Sequence, residues 1–127
     1  MEHETLQNKL RSFHTAFGHP VDQPYLLAGF DHKKSLRMKL IREEYEELMS
    51  AIDQRKDKDH ILKELCDLVY VCVGFADTYG WDFDTAFSRV HKSNMSKLDN
   101  NGDPIYREDG KILKSKLYRE PDLQDLV

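Results

Sequence analysis

The feature that most constrains this chain is an apolar run near its centre that contains a single charged residue. Residues 65 to 76 read LCDLVYVCVGFA, and Asp67 is the only charged side chain among them. A helix that is apolar on nearly every face is a buried helix. Glu64 lies one turn before Asp67 on the same side, so the run predicts two carboxylates inside a core. A buried carboxylate costs on the order of several kcal/mol unless it is protonated, paired or bound to a metal.

The size and charge of the chain set the class of protein. A chain of 127 residues is long enough for a single domain, residues 1 to 127, with its own core. Its net charge of -4 argues against a general nucleic-acid-binding surface. The polar N-terminus does not resemble a signal peptide, and no segment has the ~18 uncharged apolar residues of a membrane span. Cys66 and Cys72 are expected to be reduced core residues, so we expect a cytoplasmic protein that binds no membrane.

Apolar periodicity and turn residues predict four helices. Their expected ranges are residues 3 to 17, 34 to 53, 59 to 79 and 83 to 97. Pro20, Pro24 and Gly29 indicate a loop over residues 18 to 32. Near the C-terminus, IYREDGKIL predicts a β-hairpin on a two-residue Asp109-Gly110 turn, within an extension of residues 98 to 119. The expected fold is all-α, a bundle of four to five helices with a small C-terminal β-hairpin.

The second predicted helix carries four glutamates in the segment EEYEE, residues 43 to 47. At 100° per residue, its expected core stripe consists of Ile41, Tyr45, Leu48 and Ile52. The expected solvent side consists of Lys39, Arg42, Glu46, Ser50 and Asp53. Glu44 and Glu47 interrupt an apolar sector at roughly -60° and -120° from Ile41, and Glu43 lies on its border. Glu44 and Glu47 are therefore candidates for a site, whereas Glu46 is an ordinary surface residue.

Folding the second and third helices into an antiparallel hairpin brings these carboxylates together. Glu44 then faces Asp67, and Glu47 faces Glu64 in the next layer, with no Lys or Arg expected at those heights. Four converging carboxylates need a cation, and oxygen ligands alone suit Mg²⁺ or Mn²⁺. A solvated helix face is the simpler alternative for EEYEE. A di-iron site is disfavoured because it needs Glu-x-x-His, and position 67 is Asp.

Glu43-Glu44-x-x-Glu47 followed by Glu64-x-x-Asp67 resembles the signature of the all-α nucleoside triphosphate pyrophosphohydrolases. That superfamily includes MazG, the dimeric dUTPases and phosphoribosyl-ATP pyrophosphohydrolase. The segments FHTAFGHPV and VHKSNMSKLDNNGDPIYREDGKILK resemble a bacterial MazG-like subgroup, so the likeness extends over nearly the whole chain. It implies a MazG-like bundle that hydrolyses a nucleoside triphosphate to a monophosphate and diphosphate.

The resemblance also implies roles for the acidic residues. Glu44, Glu47, Glu64 and Asp67 would hold the metal, Mg²⁺ with Mn²⁺ as a substitute. Glu43 would be the catalytic residue that holds or deprotonates the attacking water. Magnesium bound there would bridge phosphate oxygens and stabilise the leaving diphosphate.

Candidate substrate contacts lie nearer the C-terminus. On the fourth helix the stripe of Phe83, Phe87 and Val90 continues into Asn94 and Lys97, which either emerge into solvent or contact substrate. Residues 92 to 119 hold seven basic against four acidic residues, which suggests a basic lid with Arg107 and Lys111, or a surface hairpin with incidental charge. His14 could contact the base, although a lone histidine is usually structural.

Three functions remain open. The leading one is a Mg²⁺-dependent nucleotide pyrophosphohydrolase, acting on dUTP or a non-standard nucleotide in pool sanitation. The others are phosphoribosyl-ATP hydrolysis in histidine synthesis and a non-catalytic, metal-stabilised helical module. Two apolar faces on so small a chain predict a homodimer, or a tetramer built from it.

Overall fold

The computed structural model describes residues 4 to 24 and 32 to 127, and it is mostly helical. The helices are α1 (Leu6–Ala16), α2 (His32–Asp53), α3 (Lys58–Thr78) and α4 (Phe83–Met95), followed by strands β1 (Ile105–Tyr106) and β2 (Ile112–Leu113) and a 3-10 turn (Gln124–Leu126). The predicted helical class and the C-terminal hairpin are confirmed. Gly29, assigned to the first loop, lies outside the described residues. The chain divides into two compact units, Met1–Phe83 and Asp84–Val127.

The ends of α1, α2 and α3 share one C-terminal capping arrangement. After α3, Gly80 adopts a φ of 75°, its N–H donates to the Asp77 carbonyl, and the Trp81 N–H donates to the Ala76 carbonyl. This is a Schellman motif, which needs a left-handed residue just past the helix. Gly18 ends α1 in the same way with a φ of 69°. At the end of α2 the left-handed residue is Arg55, whose φ is 52°.

In the first unit, α1 and α2 both pack on α3. The buried apolar residues of the described chain are Leu10, Leu48, Ala51, Val73, Ala76 and Tyr79. The segment after α1 is fixed to the end of α3, because the N–H groups of Asp22 and Gln23 donate to the carbonyls of Asp77 and Thr78. No helix in the described part of the chain has the length and apolar character to span a bilayer.

Part of the predicted burial is wrong for this chain taken alone. The third helix is not covered on every side: Leu62 is 59% exposed and Leu65 44% exposed. Cys66 and Cys72, expected in the core, are both free and exposed. The physical reason is that α1 and α2 cover only part of α3, which leaves an apolar face open.

For α2, the predicted exposure of the solvent side is confirmed, and the predicted burial of the core stripe is partly wrong. The predicted solvent residues Lys39, Arg42, Glu46, Ser50 and Asp53 are all exposed. Leu48 is buried as predicted, but Tyr45 is 52% exposed and Ile52 is 49% exposed. Ala51 is buried instead, which rotates the contact face of α2 toward Glu44 and Glu47.

In the second unit, β1 and β2 pair antiparallel, with Ile105 opposite Leu113 and Tyr106 opposite Ile112. The Arg107 N–H donates to the Lys111 carbonyl, and the Gly110 N–H donates to the Arg107 carbonyl. The loop therefore has three residues and ends on Gly110 with a φ of 88°, so the predicted two-residue turn is wrong.

Candidate metal centre

Three of the four predicted metal ligands converge between α2 and α3. Glu44 and Glu47 come from α2 and Glu64 from α3, and one carboxylate oxygen of each lies within 4.8 Å of the others. Glu44 is half-buried, Glu47 is exposed and Glu64 is buried, so the group spans the edge of the helix pair. Such a group of hard oxygen donors can hold a divalent cation.

The antiparallel packing of α2 and α3 explains this convergence. Glu47 lies near Glu64, and the carboxylate of Glu44 is influenced by the charge of Asp67, one layer further along. Two helical turns beyond Glu44, Arg37 meets Gly74: a Cβ on Gly74 would lie 3.4 Å from Arg37 Nη1. The order of these neighbours runs in opposite directions along the two helices, as it must in an antiparallel hairpin.

Two carboxylate oxygens in the group are buried without a hydrogen-bond partner. They are Oε2 of Glu44 and Oε2 of Glu64, whose side chain is only 8% exposed. Burial raises the pKa of Glu44, and the nearby charge of Glu47 raises it further. Buried, unpaired carboxylate oxygens are costly, so the group is electrostatically unfavourable unless a proton or a cation neutralises part of its charge.

Asp67 adjoins the group but is held by a lysine. Lys63 Nζ lies 2.7 Å from Asp67 Oδ2 and 3.6 Å from Glu64 Oε1, and His60 Nε2 lies 3.6 Å from the same Glu64 oxygen. The expectation that no Lys or Arg reaches these layers is therefore wrong. The wheel compares backbone positions, whereas the long lysine side chain extends along the helix to the next turn.

Glu43, the predicted catalytic residue, does not belong to the converging group. Its side chain is 50% exposed, and its Oε1 lies 3.9 Å from Lys39 Nζ one turn earlier. It is next to Glu44 in sequence but on the outer side of α2, as its border position on the wheel indicated.

The predicted substrate contacts near the C-terminus lie in the second unit. Asn94 is exposed near the end of α4, and Lys97 is half-buried just beyond it. Arg107 donates through Nε to Asp109 Oδ1 at 2.8 Å, which raises the pKa of Arg107, and the Lys111 N–H donates to the same oxygen at 3.2 Å. Their contact with substrate remains a prediction.

His14 is placed in the core of the first unit. It is 1% exposed, and its Nδ1 lies 2.9 Å from Asp77 Oδ2. Its Nε2 is 3.4 Å from Arg37 Nη1, and its ring stacks on His19. Burial lowers the pKa of His14, which therefore favours the neutral ring. Its burial and these contacts favour the structural role that is usual for a lone histidine, and its contact with the base remains a prediction.

The sequence reasoning did not single out Arg37, Asp77 or Lys63. Arg37 is 5% exposed and Asp77 is fully buried, where it also accepts from Arg11 Nε at 2.7 Å. Seven-residue spacing could have shown that Arg37 shares a helix face with Glu44. Asp77 directly follows the apolar run of residues 65 to 76, and a carboxylate in that position indicates a buried polar contact.

The helical fold and the family match described next place the protein in the class of the all-α nucleoside triphosphate pyrophosphohydrolases. Residues 10 to 94, more than half of the chain, match the model of the phosphoribosyl-ATP pyrophosphohydrolase family. The chain belongs to that family.

The chain is also similar to an uncharacterized protein of Acanthamoeba polyphaga mimivirus. The two are 28% identical in an alignment 143 residues long. The alignment includes 77% of this chain and 57% of the viral protein. The chain thus spans little more than half the length of this relative.

Proposed function

We propose that this protein is a Mg²⁺-dependent pyrophosphohydrolase that converts a nucleoside triphosphate and water into a nucleoside monophosphate and diphosphate. The observation that carries the proposal is the convergence of Glu44, Glu47 and Glu64 within 4.8 Å between two packed helices. The family match supports the same reaction class.

The residues present fit a magnesium ion. All the donors are carboxylate oxygens, which Mg²⁺ prefers over the softer ligands of zinc or copper. The unpartnered buried oxygens of Glu44 and Glu64 are those that an added cation would satisfy. Asp67 would join them as the fourth ligand once its contact with Lys63 is released. Manganese has similar ligand preferences and is the expected substitute.

The chain's own residues would divide the remaining work. When bound, Mg²⁺ would neutralise phosphate oxygens and stabilise the leaving diphosphate. Glu43, the neighbour of Glu44 in sequence, is half exposed and would accept a proton from the attacking water. Lys97 would bind a phosphate group and Asn94 the sugar, base or a phosphate, with Arg107 and Lys111 as further basic contacts.

The substrate has two candidates. One is a nucleoside triphosphate such as dUTP or a non-standard nucleotide, as in pool sanitation. The other is phosphoribosyl-ATP, the compound named in the description of the family whose model the chain matches. Both carry the same phosphoanhydride bond, so the carboxylate group serves either, and the choice depends on contacts to the nucleoside.

A product assay tests the proposal. The purified chain is incubated with Mg²⁺ and each of the common and non-standard nucleoside triphosphates, or with phosphoribosyl-ATP, and the products are separated by chromatography. We expect a monophosphate and diphosphate in equal amounts from one of these substrates. Release of inorganic phosphate without diphosphate would contradict the proposal.

Matched variants connect the activity to the site. Glu47→Gln and Asp67→Asn each remove one predicted ligand charge at nearly constant volume, so both should abolish turnover. Glu46→Gln makes the same chemical change on the exposed side of α2 and should leave turnover unchanged. Equal losses from Glu46→Gln and Glu47→Gln would show that the assignment of faces is mistaken.

We also propose a homodimer. Apolar side chains on one face of α3 are exposed, including Leu62 at 59%, Leu65 at 44% and Val69 at 39%. Leu65 and Val69, together with Leu6 and Tyr70, line an apolar cleft of about 270 Å³. A second copy would cover such a face. Analytical ultracentrifugation at micromolar concentration should show twice the chain mass, and a monomer alone would contradict this assembly.

A further inference from the structure

The ammonium group of Lys63 lies against the proposed metal ligands. Its Nζ is 2.7 Å from Asp67 Oδ2 and 3.6 Å from Glu64 Oε1, both on the same helix. Glu44, across the helix pair, also attracts this positive charge. One lysine thus interacts with three of the four carboxylates that the proposed function assigns to the metal.

This arrangement differs from an ordinary surface ion pair on a helix. The pair of Lys39 and Glu43 has the same four-residue spacing, but its atoms are 3.9 Å apart and both side chains are at least half exposed. The partners of Lys63 are less exposed, 8% for Glu64 and 35% for Asp67. Lower exposure reduces screening by water and strengthens each charge interaction.

An ammonium group and a divalent cation compete for the same acceptors. Asp67 Oδ2 is within hydrogen-bonding distance of Lys63 Nζ, so a metal ion using that oxygen must replace the lysine. The positive charge of Lys63 would also repel an ion bound to Glu64. Without a metal, however, the same charge reduces the repulsion among the carboxylates. Lys63 therefore has opposite effects on the two states of the site.

We infer that Lys63 is a resident counter-cation of the carboxylate group, which stabilises the metal-free protein and which a divalent cation displaces from Asp67 and Glu64 on binding. The inference rests on the proposed function, because it takes these carboxylates to be the metal ligands. Lys63 thereby sets the concentration of metal at which the site fills. It is a positioning residue and makes no contact with the reacting bond.

Calorimetric titration of MgCl₂ into the protein, without nucleotide, tests this inference. Lys63→Met keeps the length of the side chain and removes its charge, so the Kd for Mg²⁺ should fall by about 2- to 5-fold, the upper part of the range expected for losing a partly exposed ion pair. Lys63→Arg keeps the charge and should retain the wild-type Kd. Lys58→Met removes a charge from an exposed position at the start of the same helix and should change the Kd less than 2-fold.

Thermal unfolding gives a readout that does not depend on activity. In EDTA, Lys63→Met should have a lower Tm than the wild type, and saturating Mg²⁺ should remove that difference. An equal loss of Tm with and without Mg²⁺, or an unchanged or higher Kd in Lys63→Met, would overturn the inference while leaving the proposed function intact. If the wild type binds no Mg²⁺ or Mn²⁺ at all, the metal site fails and the inference fails with it.

Discussion

Replacing Glu44 by glutamine should stabilise the metal-free protein, although it removes a proposed metal ligand. The carboxylate oxygens of Glu44, Glu47 and Glu64 lie within 4.8 Å of one another. At that separation two unit charges repel by about 0.9 kcal/mol at the dielectric constant of water and about 3.5 kcal/mol at an effective value of 20. Because Glu44 is half-buried and Glu47 exposed, we expect the free energy of unfolding to rise by about 1 to 3 kcal/mol at pH 8 in EDTA.

The pH dependence of this gain has a definite sign. The pKa of Glu44 is raised in the folded state, first by burial and then by Glu47. The folded chain therefore binds more protons than the unfolded chain between the ordinary and the raised pKa, so this residue lowers stability as the pH rises through that window. The advantage of Glu44→Gln should accordingly be large at pH 8 and small near pH 4.5, the ordinary pKa at which the unfolded carboxyl is half ionised.

Urea unfolding followed by circular dichroism measures both effects, in EDTA and in saturating Mg²⁺. Wild type should gain stability from Mg²⁺ by mass action, whereas Glu44→Gln should gain much less. Glu46→Gln, an exposed change on the same helix, should match wild type throughout. The reasoning is refuted if Glu44→Gln is less stable than wild type at pH 8 in EDTA, or if its advantage is the same at both pH values.

Three further predictions concern other residues. Burial lowers the pKa of His14, so its contribution to stability should be lost as the pH falls below about 6.5. In urea unfolding, the difference in free energy of unfolding between wild type and His14→Gln should therefore be smaller at pH 5.5 than at pH 7.5. Arg55 has a φ of 52°, so Arg55→Gly should raise the free energy of unfolding by about 0.5 to 1 kcal/mol, and a loss would show that the Arg55 side chain outweighs its strain. Glu43→Gln should lower kcat by about 10²- to 10⁴-fold and keep the normal nucleotide affinity, whereas Lys97→Ala should mainly raise KM. If calorimetry shows that Glu43→Gln no longer binds Mg²⁺, Glu43 is a metal ligand and not the base.

The helices were predictable because their signals are local. Apolar periodicity predicts the helical segments, and glycine, the usual left-handed residue of a Schellman end, is present at two of the three helix ends, Gly18 and Gly80. The convergence of acidic residues followed from helix geometry alone, since antiparallel packing fixes which positions meet. The length of the hairpin loop did not follow, because Asp-Gly is compatible with both a two-residue turn and a three-residue loop that ends on glycine.

Burial and side-chain reach were less predictable. Tyr45 and Leu65 are exposed although both belong to apolar stripes. An apolar stripe predicts a buried helix face, but it does not say whether the same chain or a second copy buries it. The pair of Lys63 and Asp67 was predictable from its four-residue spacing on one helix, because such positions are neighbours on a helix surface; comparing only the positions that face each other across α2 and α3 does not show it. For His14 the sequence left contact with the base and a structural role open, and its contacts with Asp77 and Arg37 favour the structural role.

The compactness of the site along the chain has a consequence for how the protein folds. All four acidic residues lie between positions 44 and 67, on two helices joined only by residues 54 to 57. Bringing them together closes a short loop at little entropic cost, so we expect the helical hairpin of α2 and α3 to form early in folding. Like charges must approach during that step, and Lys63 offsets only part of their repulsion. We therefore expect Mg²⁺ to accelerate refolding as well as to slow unfolding, so that the ion acts on the assembly of the hairpin before any nucleotide is bound.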